Sequence, residues 1–172
     1  LGVDRAEPPG DLPLAAFTRT DMAEPDQSGL LGQALQGSCT LFHLAAARTD
    51  WGLDYEGYYR DNVAVTDNLV QAAREAGVGR WVYFGTVGVY GPSEAPLDEA
   101  SPFAPTTDYG ATKAEAERRL LAAAQEEGWT VRSLRPSAVF SEGQPPNTNL
   151  YRLIEAIRRN RFVLIGDGSE VK

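Results

Sequence analysis

Short apolar runs that alternate with long, glycine-terminated helical patterns constrain this chain more than anything else in it. Residues 40–45 (Thr-Leu-Phe-His-Leu-Ala), 80–85 (Arg-Trp-Val-Tyr-Phe-Gly) and 130–135 (Thr-Val-Arg-Ser-Leu-Arg) read as short buried strands, and 14–18 as a weaker one. A helical pattern from about 58 to 76 puts Tyr59, Val63, Leu69, Val70 and Ala73 near one face and stops at Gly77. A second, from about 108 to 127, does the same with Ala114, Leu120, Leu121 and Ala124 before Gly128. A third stripe, Leu150, Leu153, Ile154 and Ile157, follows Thr148 or Asn149 as a cap. Strands alternating with helices of this length predict β-α-β units with right-handed crossovers, and so an α/β fold with a doubly wound parallel sheet. Residues 92–107, rich in Pro, Ser and Thr, form a long loop of the kind that carries function or stays disordered.

Composition removes several classes. Sixteen Lys and Arg against twenty-four Asp and Glu give a net charge of −8, which argues against a nucleic-acid partner. No apolar run approaches the roughly 20 residues of a membrane span, so no membrane partner is expected. A lone cysteine, Cys39, cannot form an internal disulfide; it opens an apolar run and is expected in the core. With one histidine beside it, no His/Cys metal site is expected. The opening residues carry no signal-peptide pattern, and a cytoplasmic setting is expected. Leu1-Gly2-Val3-Asp4 reads as the end of a strand and residues 163–168 (Val-Leu-Ile-Gly-Asp-Gly) as a strand and turn, so sequence is expected beyond both ends.

The residues with the clearest chemistry open the second long helix: Tyr109-Gly110-Ala111-Thr112-Lys113. Spacing of four puts Tyr109 and Lys113 on one helical face. An ammonium beside a phenol stabilises the phenolate, and such a pair can move a proton to or from a hydroxyl. The strand ending at Phe84 delivers Gly85-Thr86-Val87-Gly88-Val89-Tyr90-Gly91 at its carboxyl end, where open α/β sheets bind ligands. Thr86 can donate to and accept from a reacting oxygen there, or simply satisfy backbone at a strand end. His43 reads as a packed core histidine and Asn62 as a backbone tie. Trp51, Tyr55, Tyr58 and Tyr59 read as packing or a dimer face, with a substrate wall as the alternative, and Asp98 and Glu99 read as a solvated loop face.

Thr86, Val89-Tyr90-Gly91, Tyr109 and Lys113 together resemble the extended short-chain dehydrogenase/reductase family, also called the NAD-dependent epimerase/dehydratase family. His43-Leu44-Ala45-Ala46 resembles its fourth-strand segment. Residues 62–69 (Asn-Val-Ala-Val-Thr-Asp-Asn-Leu) resemble its Asn-Val-x-Gly-Thr-x-Asn-Leu helix, with Val65 in place of Gly, and residues 134–140 (Leu-Arg-Pro-Ser-Ala-Val-Phe) resemble its sixth-strand exit. The resemblance implies a Rossmann-like dinucleotide-binding domain over 1–172, with 141–172 beginning the substrate-binding region. It implies Tyr109 as general acid/base, Lys113 lowering its pKa and holding the nicotinamide ribose, and Thr86 bonding the reacting oxygen, with Val87, Gly88 and Tyr109 also facing substrate. Asp4 would take the adenosine ribose and favours NAD; Arg5 beside it keeps NADP open. Asp21 and Met22 would flank adenine, Leu44, Ala45 and Ala46 would line the cofactor, Arg48 and Asp61 would touch it, and Pro136 and Ser137 would approach the nicotinamide.

Departures from the family pattern narrow the reading. The Gly-x-x-Gly-x-x-Gly loop is absent and would precede residue 1, so the first β-α unit, central in the sheet, is expected outside these residues. The Thr-Asp-Glu of sugar dehydratases is replaced by Thr86-Val87-Gly88, which leaves no carboxylate to eliminate water. The Asn that follows the sixth strand in hexose 4-epimerases is replaced within Pro136-Ser137-Ala138. NAD(P)-dependent epimerisation or oxidoreduction at a secondary alcohol or ketone, on a nucleotide sugar, is the expected activity. A reductase or dehydrogenase of a sterol-like or other small alcohol is the alternative, and a non-catalytic dinucleotide sensor a further one. A homodimer through the two long helices is expected.

Overall fold

The computed structural model describes residues 1–8, 10–47, 52–141 and 148–163. It falls into two units, 1–136 and 137–172. In the first, β1 (Gly2–Asp4) pairs in parallel with β2 (Phe17–Arg19), Gly2 opposite Phe17. A separate parallel sheet has the order β3-β4-β5, from Leu41–His43, Arg80–Phe84 and Thr130–Leu134, with Leu41 opposite Trp81 and Trp81 opposite Val131. Among the described residues all the strand pairing is parallel, as the β-α-β alternation predicts.

The helices connecting these strands lie where the periodicity places them, with additions. A continuous helical run is made of α2 (Tyr55–Tyr58), a π-helical turn (Tyr59–Ala64) and α3 (Val65–Ala76), and it begins three residues before the expected start. Asp54 caps it by accepting from Gly57 N, and Gly77 ends it in the left-handed conformation (φ 70°) that glycine takes without a Cβ clash. α4 (Asp108–Glu127) is capped by Thr107, whose hydroxyl accepts from Gly110 N, and ends at Gly128. α1 (Ser28–Leu35) packs on α3 and was not signalled by the periodicity. β2 sits at 17–19, not 14–18.

Leu31, Val63, Ala72, Ala73, Trp81, Tyr83, Ala116 and Leu120, from α1, the π turn, α3, α4 and β4, form one core. Two expectations fail. Cys39 is exposed: it lies in the turn before β3, where its carbonyl accepts from Arg80 Nε. Leu121 is exposed, because it lies one residue, about 100° around the helix, past the buried Leu120. The opposite face of β3-β4-β5 is bare at Phe42 and Leu134, and Phe42 is 62% exposed. A groove of about 510 Å³ runs between the edges of β1 and β3, lined by Gly2, Val3, Leu41, Phe42 and His43.

The second unit holds α5 (Asn149–Arg158), capped by Thr148, which accepts from Tyr151 N. Leu153, Ile154 and Ile157 are exposed on it. Of the strand expected at 163–168, Val163 is outside any regular element and the rest lies outside the described residues.

Candidate active site

Lys113 is almost fully buried, an expensive place for an ammonium unless its donors are met. Its Nζ donates to the Phe84 carbonyl at 2.7 Å and sits 4.4 Å above the Tyr83 ring. Burial pushes its pKa from 10.5 down to about 8, and the Glu117 carboxylate opposes that shift. Tyr109 precedes it by one helical turn, its ring 6.2 Å from that of the buried Tyr58. A Cβ at Gly110 would lie 2.6 Å from the Gly88 carbonyl oxygen, so the residue after Tyr109 presses against the turn that leaves β4. That contact brings α4's first turn to the segment containing Thr86, Val87 and Gly88.

Thr86 lies two residues past the end of β4 and caps a short 3-10 turn (Val87–Val89), accepting from Gly88 N at 3.1 Å. The hydroxyl therefore serves the backbone, while its own proton remains a donor function. Val87 N donates to the Pro136 carbonyl, fixing this turn to the exit of β5, and the Val87 side chain is exposed. Ser137 opens the second unit.

Asn62 connects this region to the next. Its Oδ1 accepts from Ala47 N, and its Nδ2 donates to Thr112 Oγ1, both at 2.9 Å. It is a tie between backbone and helix, as expected. His43 is buried, its Nε2 2.9 Å from Thr66 Oγ1. Because Thr66 donates its proton to the Asn62 carbonyl, Nε2 must carry the imidazole hydrogen. Burial and then the Lys113 charge hold this histidine well below its usual pKa, so it stays neutral.

A separate cleft of about 190 Å³ is lined by Asp4, Arg5, Thr20, Asp21, Met22, Leu44, Ala45, Ala46, Asp61 and Val65. Eight of the residues expected to hold a cofactor thus line one cavity. Thr20 and Val65 were missed, and Arg48 lies outside the described residues. Asp4 accepts from Ala6 N at the end of β1, and Asp21 from Ala23 N. Arg5 pairs with Asp61 at 3.1 Å, and Arg60 joins Asp61, Asp21 and Glu24 at 2.9, 2.8 and 2.7 Å. Burial raises the Asp21 pKa, and bonds from Arg60 and Ala23 more than reverse it, so Asp21 is held ionised. Sequence reasoning also missed Arg60, which no motif marks. Among the described residues no cluster of three His, Cys, Asp or Glu side chains could hold a metal, and no helix is long and apolar enough to cross a membrane.

The profile described as "NAD dependent epimerase/dehydratase family" matches residues 1–172. A 2-alkyl-3-oxoalkanoate reductase of Stenotrophomonas maltophilia is 37% identical over 157 residues, covering 88% of this chain and 46% of that protein. The structure of MoeE5 in complex with UDP-glucuronic acid and NAD is similar with a TM-score of 0.77 and 33% identity, over 90% of this chain and 51% of that one. UDP-glucuronic acid 4-epimerase from Bacillus cereus in complex with NAD gives 0.74 and 28%, over 89% and 49%. The chain spans about half the length of the curated relatives it matches.

Proposed function

Because this chain belongs to the NAD dependent epimerase/dehydratase family, we propose that it forms the adenosine-binding and proton-transfer part of an NAD-dependent enzyme acting on a secondary alcohol or ketone, with a nucleotide sugar as substrate and an epimerase-like outcome. The observation that carries this reading is Lys113, buried and fixed on Phe84 one helical turn after Tyr109, beside the turn that holds Thr86.

The residues present fit NAD. Ala45 and Ala46 leave room for a planar base in the cleft, and Asp4 offers a carboxylate at a strand end where a ribose diol can donate. Arg5 is engaged by Asp61, which favours NAD over NADP at that carboxylate. Met22 and Asp21 would flank adenine, and Pro136 and Ser137 would approach the nicotinamide. NAD, when bound, supplies the hydride acceptor. Tyr109 takes the proton of the substrate hydroxyl, Lys113 favours the phenolate that does so and holds the ribose, and Thr86 donates to the same oxygen. Val87 and Gly88 line the substrate side. In this reading residues from 141 begin the substrate region, the protein works in the cytoplasm, and the long helices form a homodimer face for which the exposed Leu121 is suited.

MoeE5 and the Bacillus cereus epimerase, both at 28% identity or more, support the nucleotide sugar. The Stenotrophomonas relative, named for reduction of an oxoalkanoate, favours a second reading: reduction of a small non-nucleotide ketone. Full-length protein offered UDP-sugars with NAD and no external oxidant separates them. The proposal expects an epimeric product without net NADH. Inertness toward UDP-sugars, with stoichiometric NADH consumption on a 3-oxoalkanoate, selects the second.

A further inference from the structure

Glu117 is completely buried, one helical turn after Lys113 and two after Tyr109. A buried carboxylate must be paired to remain charged. Arg135, just past β5, supplies the pairing: its Nε donates to both carboxylate oxygens at 3.1 and 3.2 Å, and its Nη2 to Oε1 at 2.7 Å. The same guanidinium donates to Tyr90 Oη and, at 3.1 Å, to the Glu99 carbonyl. It also lies over the Tyr90 and Phe103 rings at 5.2 and 4.7 Å. A Cβ at Gly85 would stand 3.2 Å from Glu117 Oε2, so the carboxylate rests against the strand end whose Phe84 carbonyl accepts from Lys113.

A buried ion pair is a weak source of stability, since apolar side chains of the same volume often do as well. Its placement here has a different consequence. We propose that Glu117 is a positioning residue for the Tyr109–Lys113 couple: clamped by Arg135, its carboxylate sustains the buried Lys113 ammonium, and through Arg135 it fastens the loop from Tyr90 to Phe103 to the same point. The proposal rests on the reading of Tyr109 and Lys113 as the proton-transfer pair.

Among the described residues, the groups facing Lys113 are few. On its own helix are Glu117 and Tyr109. On β4 are the Phe84 carbonyl and the Tyr83 ring, whose hydroxyl donates to the Lys113 carbonyl and whose pKa burial drives upward. On β3 is His43, neutral. Arg135 adds positive charge beyond Glu117. Glu117 is the carboxylate of this set, and neutralising it removes the negative charge that offsets the burial of Lys113.

Lysine side-chain NMR on the full-length protein tests this, with Lys113→Met identifying the Lys113 signal. In Glu117→Gln, which keeps the side-chain shape, the Lys113 pKa should fall by one unit or more, and the alkaline limb of the pH–rate profile should move down with it. An unchanged Lys113 pKa in folded Glu117→Gln overturns the proposal. If that variant does not fold, Arg135→Lys keeps a cation on Glu117 without the fork. It should retain the Lys113 pKa while amide exchange over 90–103 speeds up at least tenfold; unchanged exchange overturns the proposal. The titration needs no turnover, so a wild-type protein inactive on every substrate would remove only the reading of Tyr109 and Lys113 as the proton-transfer pair.

Discussion

The Lys113 ammonium donates to the carbonyl of Phe84, the last residue of β4, across 2.7 Å. One helix is thereby pinned to the strand end from which Thr86 emerges, and in the proposed mechanism the pinning group is also the charge that the Tyr109 phenol needs.

This charge has a measurable effect on stability. The folded-state pKa of Lys113 is about 8 against an ordinary 10.5. Below pH 8 both folded and unfolded chains hold the proton, and the unfavourable burial is fully present. Between about 8 and 10.5 the unfolded chain binds more protons, so this group makes stability rise with pH. Lys113→Met should flatten that rise, in urea denaturation at pH 7 and 9.5, and should not lower stability at pH 7. A marked loss at pH 7 would mean that the buried ammonium is net stabilising.

Gly110 has no room for a side chain. A Cβ would meet the Gly88 carbonyl oxygen at 2.6 Å and Pro105 Cβ at 3.2 Å. Gly110→Ala should lower stability by about 1–3 kcal/mol, as overpacking does, and should reduce turnover further by moving Tyr109 away from Thr86. Thermal melts and initial rates read the two effects separately.

Arg5 is occupied by Asp61 in the cleft. Asp61→Ala frees its guanidinium for a 2′-phosphate, and the NADP-to-NAD affinity ratio should rise by roughly tenfold, about 1.4 kcal/mol. Calorimetric titration with each dinucleotide measures it; an unchanged ratio would show that Arg5 does not reach the ribose.

The alternation of strands and helices was legible because buried parallel strands and amphipathic helices leave different periods, and Gly77 and Gly128 mark helix ends through a backbone conformation that other residues avoid. α1 was not, because eight residues with two glycines carry little helical preference. It forms because Gly32 lets it approach Ala72 and Glu75 of α3. Which residues gather around the cleft of Asp4, Asp21 and Asp61 was legible through family resemblance. The Arg60 network was not, since ion pairs between residues 36 and 39 positions apart leave no local pattern. Glu117 could have been found, four residues after Lys113 on one helical face.

Residues 1–172 have, among those the structure describes, two open strand edges around one slot, the groove between β1 and β3 with Phe42 bare beside it. Expressed alone they should melt without cooperativity and bind no NAD. A version extended by a β-α unit ahead of Leu1 that carries a Gly-x-x-Gly-x-x-Gly loop should do both. Cooperative melting and NAD binding by the short form would contradict the central place assigned to that unit.

The role of Tyr109 is tested most directly by Tyr109→Phe in the full-length protein, with NAD affinity and turnover measured on the same preparation. Removal of the phenol oxygen alone should leave the dissociation constant for NAD within about twofold and cut turnover by roughly 10²–10⁴-fold. Turnover equal to that of the wild type would contradict the account, because it would leave the buried Lys113 ammonium with no proton-transfer partner to serve.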